Sequence, residues 1–514
     1  MKRILFLVFI FFIISILFIL ISANYIDNEH IRQTKQNLIT FIDWIFLFII
    51  VSIILLVIRE NTNPVKSLAW IQVLIFLPVI GFILYIVFGI NYRKKKIFNK
   101  KSLKDAKTID AFISSDLTDN IDAFDIVNDQ SHNVKRLIRL MYNNSKAILC
   151  QHNEMEFYYS GADKLDALFN DIQKAKKTIH LEYFTIKDDQ TGLTLQKILI
   201  QKLKEGVKVR IIYDAVGSWR TKKKYWKKII QSGGECYSFS PAIFPLLSSK
   251  LNYRDHRKIA IIDGTTAYIG GVNIGNQYIG ISSSFSFWRD THLRIKGDSS
   301  HVIQQMFLLD WLFVSKKNEF NKVNFPAHQI QSVSPVQIVS SGPDSDWENI
   351  HQAYFEMICS ARNYLYIQTP YMFLDESILM ALKITGLAGV DVRIILPHKP
   401  DHIFINYGTK SYYYDLLDAN VKLYEYTKGF IHAKVIIVDD EFCSVGSANL
   451  DIRSFSQNFE MNALLYDSSK VIKLKEQFFE DLENCVCINK ESVNKKNKLR
   501  KFLESFARLF SPIF

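Results

Sequence analysis

Apolar residues along the chain fall into two regimes. Up to Ile90 they form unbroken runs: Ile4 to Ser22 carries no charged side chain, and Trp44 to Ile58 and Leu68 to Ile90 follow, separated by the polar turn RENTNP. A hydrocarbon core of about 30 Å takes about 20 helical residues to cross, so these runs predict transmembrane helices, the second and third as a hairpin. Pro78 and Gly81 allow the third run a re-entrant course. The first run is long for a signal peptide, and no Ala-x-Ala site follows it. From about residue 150 short β-branched runs alternate with amphipathic stretches, which predicts an α/β fold. LDALFNDIQKAKKTIHLEYFTI reads as helix then strand, and LTLQKILIQKLKEGVKVRIIYD as helix, stop at Gly206, strand. HQAYFEMICSARNYLYIQTPYMF and SILMALKITGLAGVDVRIILP, with its stop at Gly389, repeat that order. The expectation is a duplicated unit with mixed β-sheets flanked by helices, preceded by N-terminal transmembrane helices. Its boundaries are a membrane region over 1–92, a basic linker with lead-in helices over 93–150, and halves over 151–335 and 336–488. A basic amphipathic helix over 489–514 completes the chain.

Each half carries the same constellation. His256, Lys258, Asp263, Gly270 and Asn273 recur at identical offsets as His432, Lys434, Asp439, Gly446 and Asn449. By residue frequency alone, one His-x-Lys-x4-Asp would arise in roughly one such chain in twenty, so a single copy is weak. Two copies at one place in a structural repeat are not accidental.

Composition narrows the partners. With 48% hydrophobic residues in 514 the chain has ample material for a core, and a net charge of +12 favours an anionic partner such as nucleic acid or acidic lipid. The six cysteines are dispersed without a CxxC pair or a Cys/His cluster, so no zinc site is expected. Arg93, Lys94, Lys95, Lys96, Lys100 and Lys101 follow the third apolar run and place the remainder in the cytoplasm, although Lys2 and Arg3 pull the other way.

Residues two apart in a strand share a face, so His256 projects with Lys258 and His432 with Lys434. The aspartates, Asp263 and Asp439, sit at an odd offset from the histidines, which points to turn or ion-pair roles. Gly270 and Gly446 let the backbone turn closely, and Asn273, Asn449 and Ser447 are candidate donors to a phosphate. Two imidazoles with two ammonium groups suit a phosphodiester. One histidine attacks phosphorus, the other protonates the departing alcohol, and the lysines and amides stabilise the phosphoryl oxygens, so neither metal nor cofactor is expected. A nucleophilic imidazole needs a carboxylate on its second nitrogen. Asp290 and Glu460 each lie about thirty residues beyond a histidine, at the start of an apolar run expected to return beside that histidine's own strand.

These residues resemble the phospholipase D superfamily, whose HxKxxxxD motif occurs twice per active site; with that motif Asp263 and Asp439 join the candidate catalytic set. The wider chain is similar to the bacterial cardiolipin synthases, through NPVKSLAWIQVLIFLPVIGFILYIVFGIN, NYRDHRKIAIIDGTTAYIGGVNIG, WRDTHLRI, IQTPY and GSANLDIRSFSQNFE. The resemblance implies condensation of two phosphatidylglycerol molecules into cardiolipin and glycerol through a phosphatidyl-histidine, with His256 as nucleophile and His432 as acid/base. Two departures stand out: Asp255 where Asn is common, and Gly271 where many members have Ser.

The superfamily also contains nucleases, so the substrate is argued from the membrane runs, which favour lipid over nucleic acid. NKLRKFLESFARLFSPIF puts Leu499, Phe502, Leu503, Phe506, Leu509, Phe510 and Ile513 on one helical face with Lys498, Arg500, Lys501 and Arg508 around it. Such a helix either lies in an anionic membrane surface or docks on the catalytic core. The competing functions are a phospholipase D-type hydrolase and a non-catalytic membrane adaptor. A multi-pass protein of the cell membrane that binds phosphatidylglycerol and other anionic lipids is expected, with its oligomeric state open.

Overall fold

The computed structural model describes residues 29–59, 64–85, 101, 131–239, 253–281, 285–495 and 497–509, and the chain divides into two compact units, Met1–Ile90 and Asn91–Phe514. The run Ile4 to Ser22 and the basic residues 93 to 100 lie outside the described residues.

In the first unit α1 (Glu29–Arg59) is followed by α2 (Pro64–Phe76) and α3 (Pro78–Leu84). Within α1, Ile39–Arg59 spans 21 residues at mean hydropathy 3.0, and among the described residues it alone is a helix long and apolar enough to cross a membrane. The expected third run is broken. Pro78 has no N–H to continue the ladder, Leu77 leaves helical geometry at φ −131° and ψ 65°, and a new helix begins at Pro78. Ile50, Ile53 and Val57 of α1 close on Leu74, Phe82 and Tyr85, while Phe41, Trp44, Phe48 and Leu55 stay exposed, as lipid-facing side chains do.

The second unit is built on one 16-stranded sheet. It opens with α4 (His132–Ser145), β1 (Leu149–Ser160), α5 (Gly161–Lys174), β2 (Thr178–Tyr183), α6 (Gln190–Lys204) and β3 (Lys208–Asp214). There follow α7 (Lys223–Gln231), β4 (Glu235–Phe239), the hairpin β5 (Lys258–Ile262) and β6 (Thr266–Gly270), β7 (Trp288–Gly297) and α8 (Asp298–Ser315). The second half repeats this with β8 (Val333–Ser341), α9 (Asn349–Ser360), β9 (Tyr364–Gln368), the short β10 (Met372–Phe373), α10 (Glu376–Leu387) and β11 (Asp391–Pro397). Next come α11 (Ile403–Lys410), α12 (Tyr413–Asp418), β12 (Lys422–Tyr426), β13 (Phe430–Ile431) and the hairpin β14 (Val435–Val438) and β15 (Phe442–Gly446). The chain then runs through β16 (Leu450–Asp451), α13 (Ile452–Ser456), β17 (Glu460–Leu465), α14 (Ser468–Leu482), β18 (Cys485–Ile488), α15 (Lys490–Asn494) and α16 (Lys498–Leu509).

Strand order makes the duplication visible. From one edge the sheet runs β4–β3–β2–β5–β6–β7–β1, and after β1 pairs with β8 it runs β8–β17–β15–β14–β9–β11–β12, with β18 added at the edge. Each side of the β1–β8 seam mirrors the other. The strands β2, β5 and β6 are buried along their whole length, as expected for strands covered on both faces. The helix stops fall where the sequence placed them, at Gly206 (φ 86°) and Gly389 (φ 90°), in the left-handed region that glycine enters without a Cβ clash.

One apolar core spans the seam, joining Ile259, Ile261 and Ile269 of the first half and Phe307 and Trp311 of α8 to Val435, Ile437 and Val445 of the second. The lead-in helix α4 is not part of a separate linker. Its Val134, Leu137, Ile138 and Met141 are buried in the core of the second half.

Candidate active site

Each motif histidine sits in an extended segment just ahead of a strand, not inside it: β5 opens at Lys258 and β14 at Val435. The backbone of that segment is tied across the seam. The amide of His256 donates to the carbonyl of Phe459 (2.9 Å), and that of His432 to the carbonyl of Arg289 (2.7 Å). In both cases the accepting residue is the one before a candidate carboxylate. Phe430 and Ile431 of β13 pair with Trp288 and Arg289 of β7, and Asp255 forms an isolated bridge with Phe459.

The carboxylates therefore serve the opposite histidines. Nδ1 of His256 lies 2.9 Å and 3.0 Å from the Glu460 oxygens, and Nδ1 of His432 lies 2.8 Å from Oδ2 of Asp290. The sequence reading had each carboxylate return beside its own half's histidine, and the structure corrects that. The reason is positional: β7 and β17 are central strands, each registered against the segment of the other half that leads to a histidine. With Nδ1 engaged by a carboxylate, Nε2 is the nitrogen left to each ring for chemistry.

Burial acts on all six groups. It lowers the pKa of both imidazoles, and Lys434 adds to the effect at His432, which falls to about 3 despite Asp290. Burial also lowers Lys434 to about 7 and Lys258 to about 8. For Glu460 and Asp290 burial acts upward, but the paired imidazoles and nearby lysines overcome it and hold both carboxyls below their usual range. Lys258 and Lys434 each act on both histidines and on both carboxylates, so the two motifs form one electrostatic cluster. An anionic phosphate entering it stabilises the protonated form of every cation there.

The carboxylates have further holders that the sequence reading missed. Trp288 Nε1 approaches Asp290 at 3.4 Å, and Asn458 Nδ2 donates to Glu460 at 3.2 Å. Each stands two residues before its carboxylate, on the same strand face, and that spacing was the available signal. Ser447, expected to meet phosphate, instead donates its hydroxyl to Glu460 Oε2 at 2.5 Å. Its counterpart Gly271 has no room for a side chain, because a Cβ there would sit 2.2 Å from Asp290 Oδ1. The departure at Gly271 thus lets Asp290 approach. Asn273 is bonded locally, its Oδ1 accepting from the Thr185 amide (3.1 Å) and its Nδ2 reaching Tyr278 (3.3 Å), whereas the buried Oδ1 of Asn449 has no hydrogen-bond partner.

The motif aspartates lie away from the imidazoles. Asp263 (φ 53°) accepts the amides of Lys176, Lys177 and Thr178 at 2.7–2.9 Å, and Asp439 (φ 52°) those of Arg362, Asn363 and Tyr364 at 2.6–2.9 Å. Each pins a helix-to-strand loop to a motif hairpin, which favours the turn role over the catalytic one. Hydrogen bonds to a charged group contribute about 1.5–3 kcal/mol each, so Asp263→Ala or Asp439→Ala should lower the melting temperature by several degrees. Turnover per folded molecule should stay within about two-fold, and a fully folded variant without turnover would return the aspartate to the chemistry.

Comparison with known proteins agrees with this geometry. The family profile described as "Cardiolipin synthase, PLD-like domain" matches residues 168–307 and 354–483, one match per half, and a phospholipase D-nuclease N-terminal profile matches 39–89. The chain is 42% identical over 473 residues to the major cardiolipin synthase ClsA of Bacillus subtilis, covering 91% of this chain and 98% of that one. It is 41% identical over 456 residues to cardiolipin synthase 2 of Bacillus cereus, covering 88% of each. The fold is similar to the crystal structure of phosphatidylserine synthase from Haemophilus influenzae, with a TM-score of 0.57 at 14% identity, over 74% of this chain and 100% of that one. Two motif-bearing halves around one charged centre, matched along most of the chain by proteins of a single activity, place it plainly: it belongs to the cardiolipin synthase family, phosphatidyltransferases of the phospholipase D superfamily.

Proposed function

We infer that the chain transfers a phosphatidyl group from one phosphatidylglycerol to the headgroup hydroxyl of another, and the observation that carries the mechanism is the crossed pair of imidazole–carboxylate contacts. His256 Nε2 attacks phosphorus in line while the bond to the glycerol oxygen breaks, and His432 delivers a proton to that oxygen. Glycerol leaves. His432 then takes the proton of the incoming headgroup hydroxyl, whose oxygen attacks the phosphatidyl-histidine and frees His256 as cardiolipin forms. Lys258 and Lys434 hold the phosphoryl oxygens through both steps, and Glu460 and Asp290 keep the rings in one tautomer and balance the charge each acquires.

Membrane placement follows from α1 and the basic residues after Ile90, which assign the second unit to the cytoplasmic face of a multi-pass protein. The catalytic region is read as two halves, 151–335 and 336–488. Purified protein in phosphatidylglycerol vesicles should yield cardiolipin and glycerol in equal amounts with a chelator present and no metal added. Phosphatidic acid as the sole product would mean that water is the acceptor and the protein a hydrolase.

A further inference from the structure

The C-terminal helix α16 meets both of the fates its sequence allowed, on opposite faces. Ala507 and Glu504 are buried, α16 packs along α11, and Arg508 bonds Asp415 of α12 at 2.8 Å with its guanidinium 4.4 Å from the Tyr412 ring. On the other side Leu499, Phe502, Phe506 and Leu509 form a stripe at 66, 63, 43 and 75% exposure. At 100° per residue these four fall within an arc of about 80°, roughly opposite the buried face. The helix is therefore docked and yet presents large apolar side chains outward.

Its docking partner matters. Ile405, Asn406 and Thr409 of α11 line a groove that also includes Tyr371 and Phe430. Both of those rings lie beside His432, with centroids 6.5 Å and 6.0 Å from it. At the start of the same helix Ile403 is 70% exposed and Phe404 is 36% exposed. One face of α11 thus borders the groove next to a catalytic histidine, and another carries α16.

We propose that the stripe on α16, with Ile403 and Phe404 of α11, seats on an anionic bilayer surface and sets the groove beside His432 against the lipid headgroups. Lys498 and Lys501 border the stripe and Arg500 lies on the same exposed helix, with a single acidic residue, the buried Glu504, among its twelve. Apolar side chains enter the headgroup boundary while adjacent cations meet lipid phosphate, and that combination selects an anionic lipid surface over a protein groove. The inference rests on the phosphatidyltransferase reading for the purpose of the contact, but not for the contact itself.

The test uses the full chain reconstituted in nanodiscs of phosphatidylglycerol and, separately, of phosphatidylcholine. Amide exchange over residues 498–509 should be slowed by about ten-fold or more in the anionic discs relative to the zwitterionic ones. The double variant Phe502→Asp, Leu509→Asp should lose that protection and about ten-fold of the rate on phosphatidylglycerol vesicles through a raised KM for bulk lipid, with the rate on dispersed short-chain phosphatidylglycerol within about two-fold of wild type. Equal exchange in the two kinds of disc, or an equal fall in rate on vesicles and dispersed substrate, overturns the proposal. If the wild type makes no cardiolipin from either substrate, the functional reading fails while the exchange comparison still decides the docking.

Discussion

His256→Ala and His432→Ala should each reduce cardiolipin formation by about four orders of magnitude or more, and the double variant should be little worse than either single one, because residues acting as a unit are not additive. The two losses should differ in kind. A donor with a phenolic leaving group needs no proton from an acid, so His432→Ala should still form the covalent intermediate from it and, lacking a base to activate the acceptor, accumulate it. His256→Ala should form none. An alkaline quench and intact-mass measurement distinguish the two variants. Accumulation in His256→Ala instead would exchange the roles of the histidines, and wild-type turnover in either single variant would end the two-histidine mechanism.

Glu460→Gln should copy the defect of His256→Ala, and Asp290→Asn that of His432→Ala, each with a loss of about three to four orders of magnitude as the wrong tautomer is held. This follows from Nδ1 distances of 2.9 Å for His256–Glu460 and 2.8 Å for His432–Asp290. With the phenolic donor, Asp290→Asn should therefore accumulate the intermediate and Glu460→Gln should not. If Asp290→Asn instead matches His256→Ala, the carboxylates work within their own halves and the crossing has no part in turnover. Ser447→Ala gives a graded version, because Glu460 loses its 2.5 Å hydroxyl donor and keeps the imidazole contact.

How much of this could be read from the sequence follows a physical divide between local and distant contacts. Gly206 and Gly389 mark helix stops in the sequence and sit at φ 86° and 90° in the fold, because a chain reversal needs a residue that tolerates that region. The repeated offsets from His256 to Asn273 and from His432 to Asn449 were equally legible, since both runs are short. What sequence spacing could not supply is which strand lies beside which. Asp290 follows His256 by about thirty residues but bonds His432, because the order of β7 and β17 about the seam is set by pairing between distant segments. The break at Leu77 was half legible. Proline in an apolar run announces a kink, but the same run read by hydropathy alone gives one continuous span. The helix α4 misled for a further reason: an amphipathic face declares that it will be buried, not what will cover it.

The mirrored order about β1 and β8 also bears on ancestry. A protein with only one such half would carry one imidazole and one carboxylate that cannot meet each other, so it would complete a reaction centre only as a two-fold homodimer with a self-complementary face. Joining two copies in one polypeptide removes the obligation for both faces to mutate together. Gly271 opposite Ser447, and Asp290 opposite Glu460, are where that freedom has been used. Former twins have thereby become specialists.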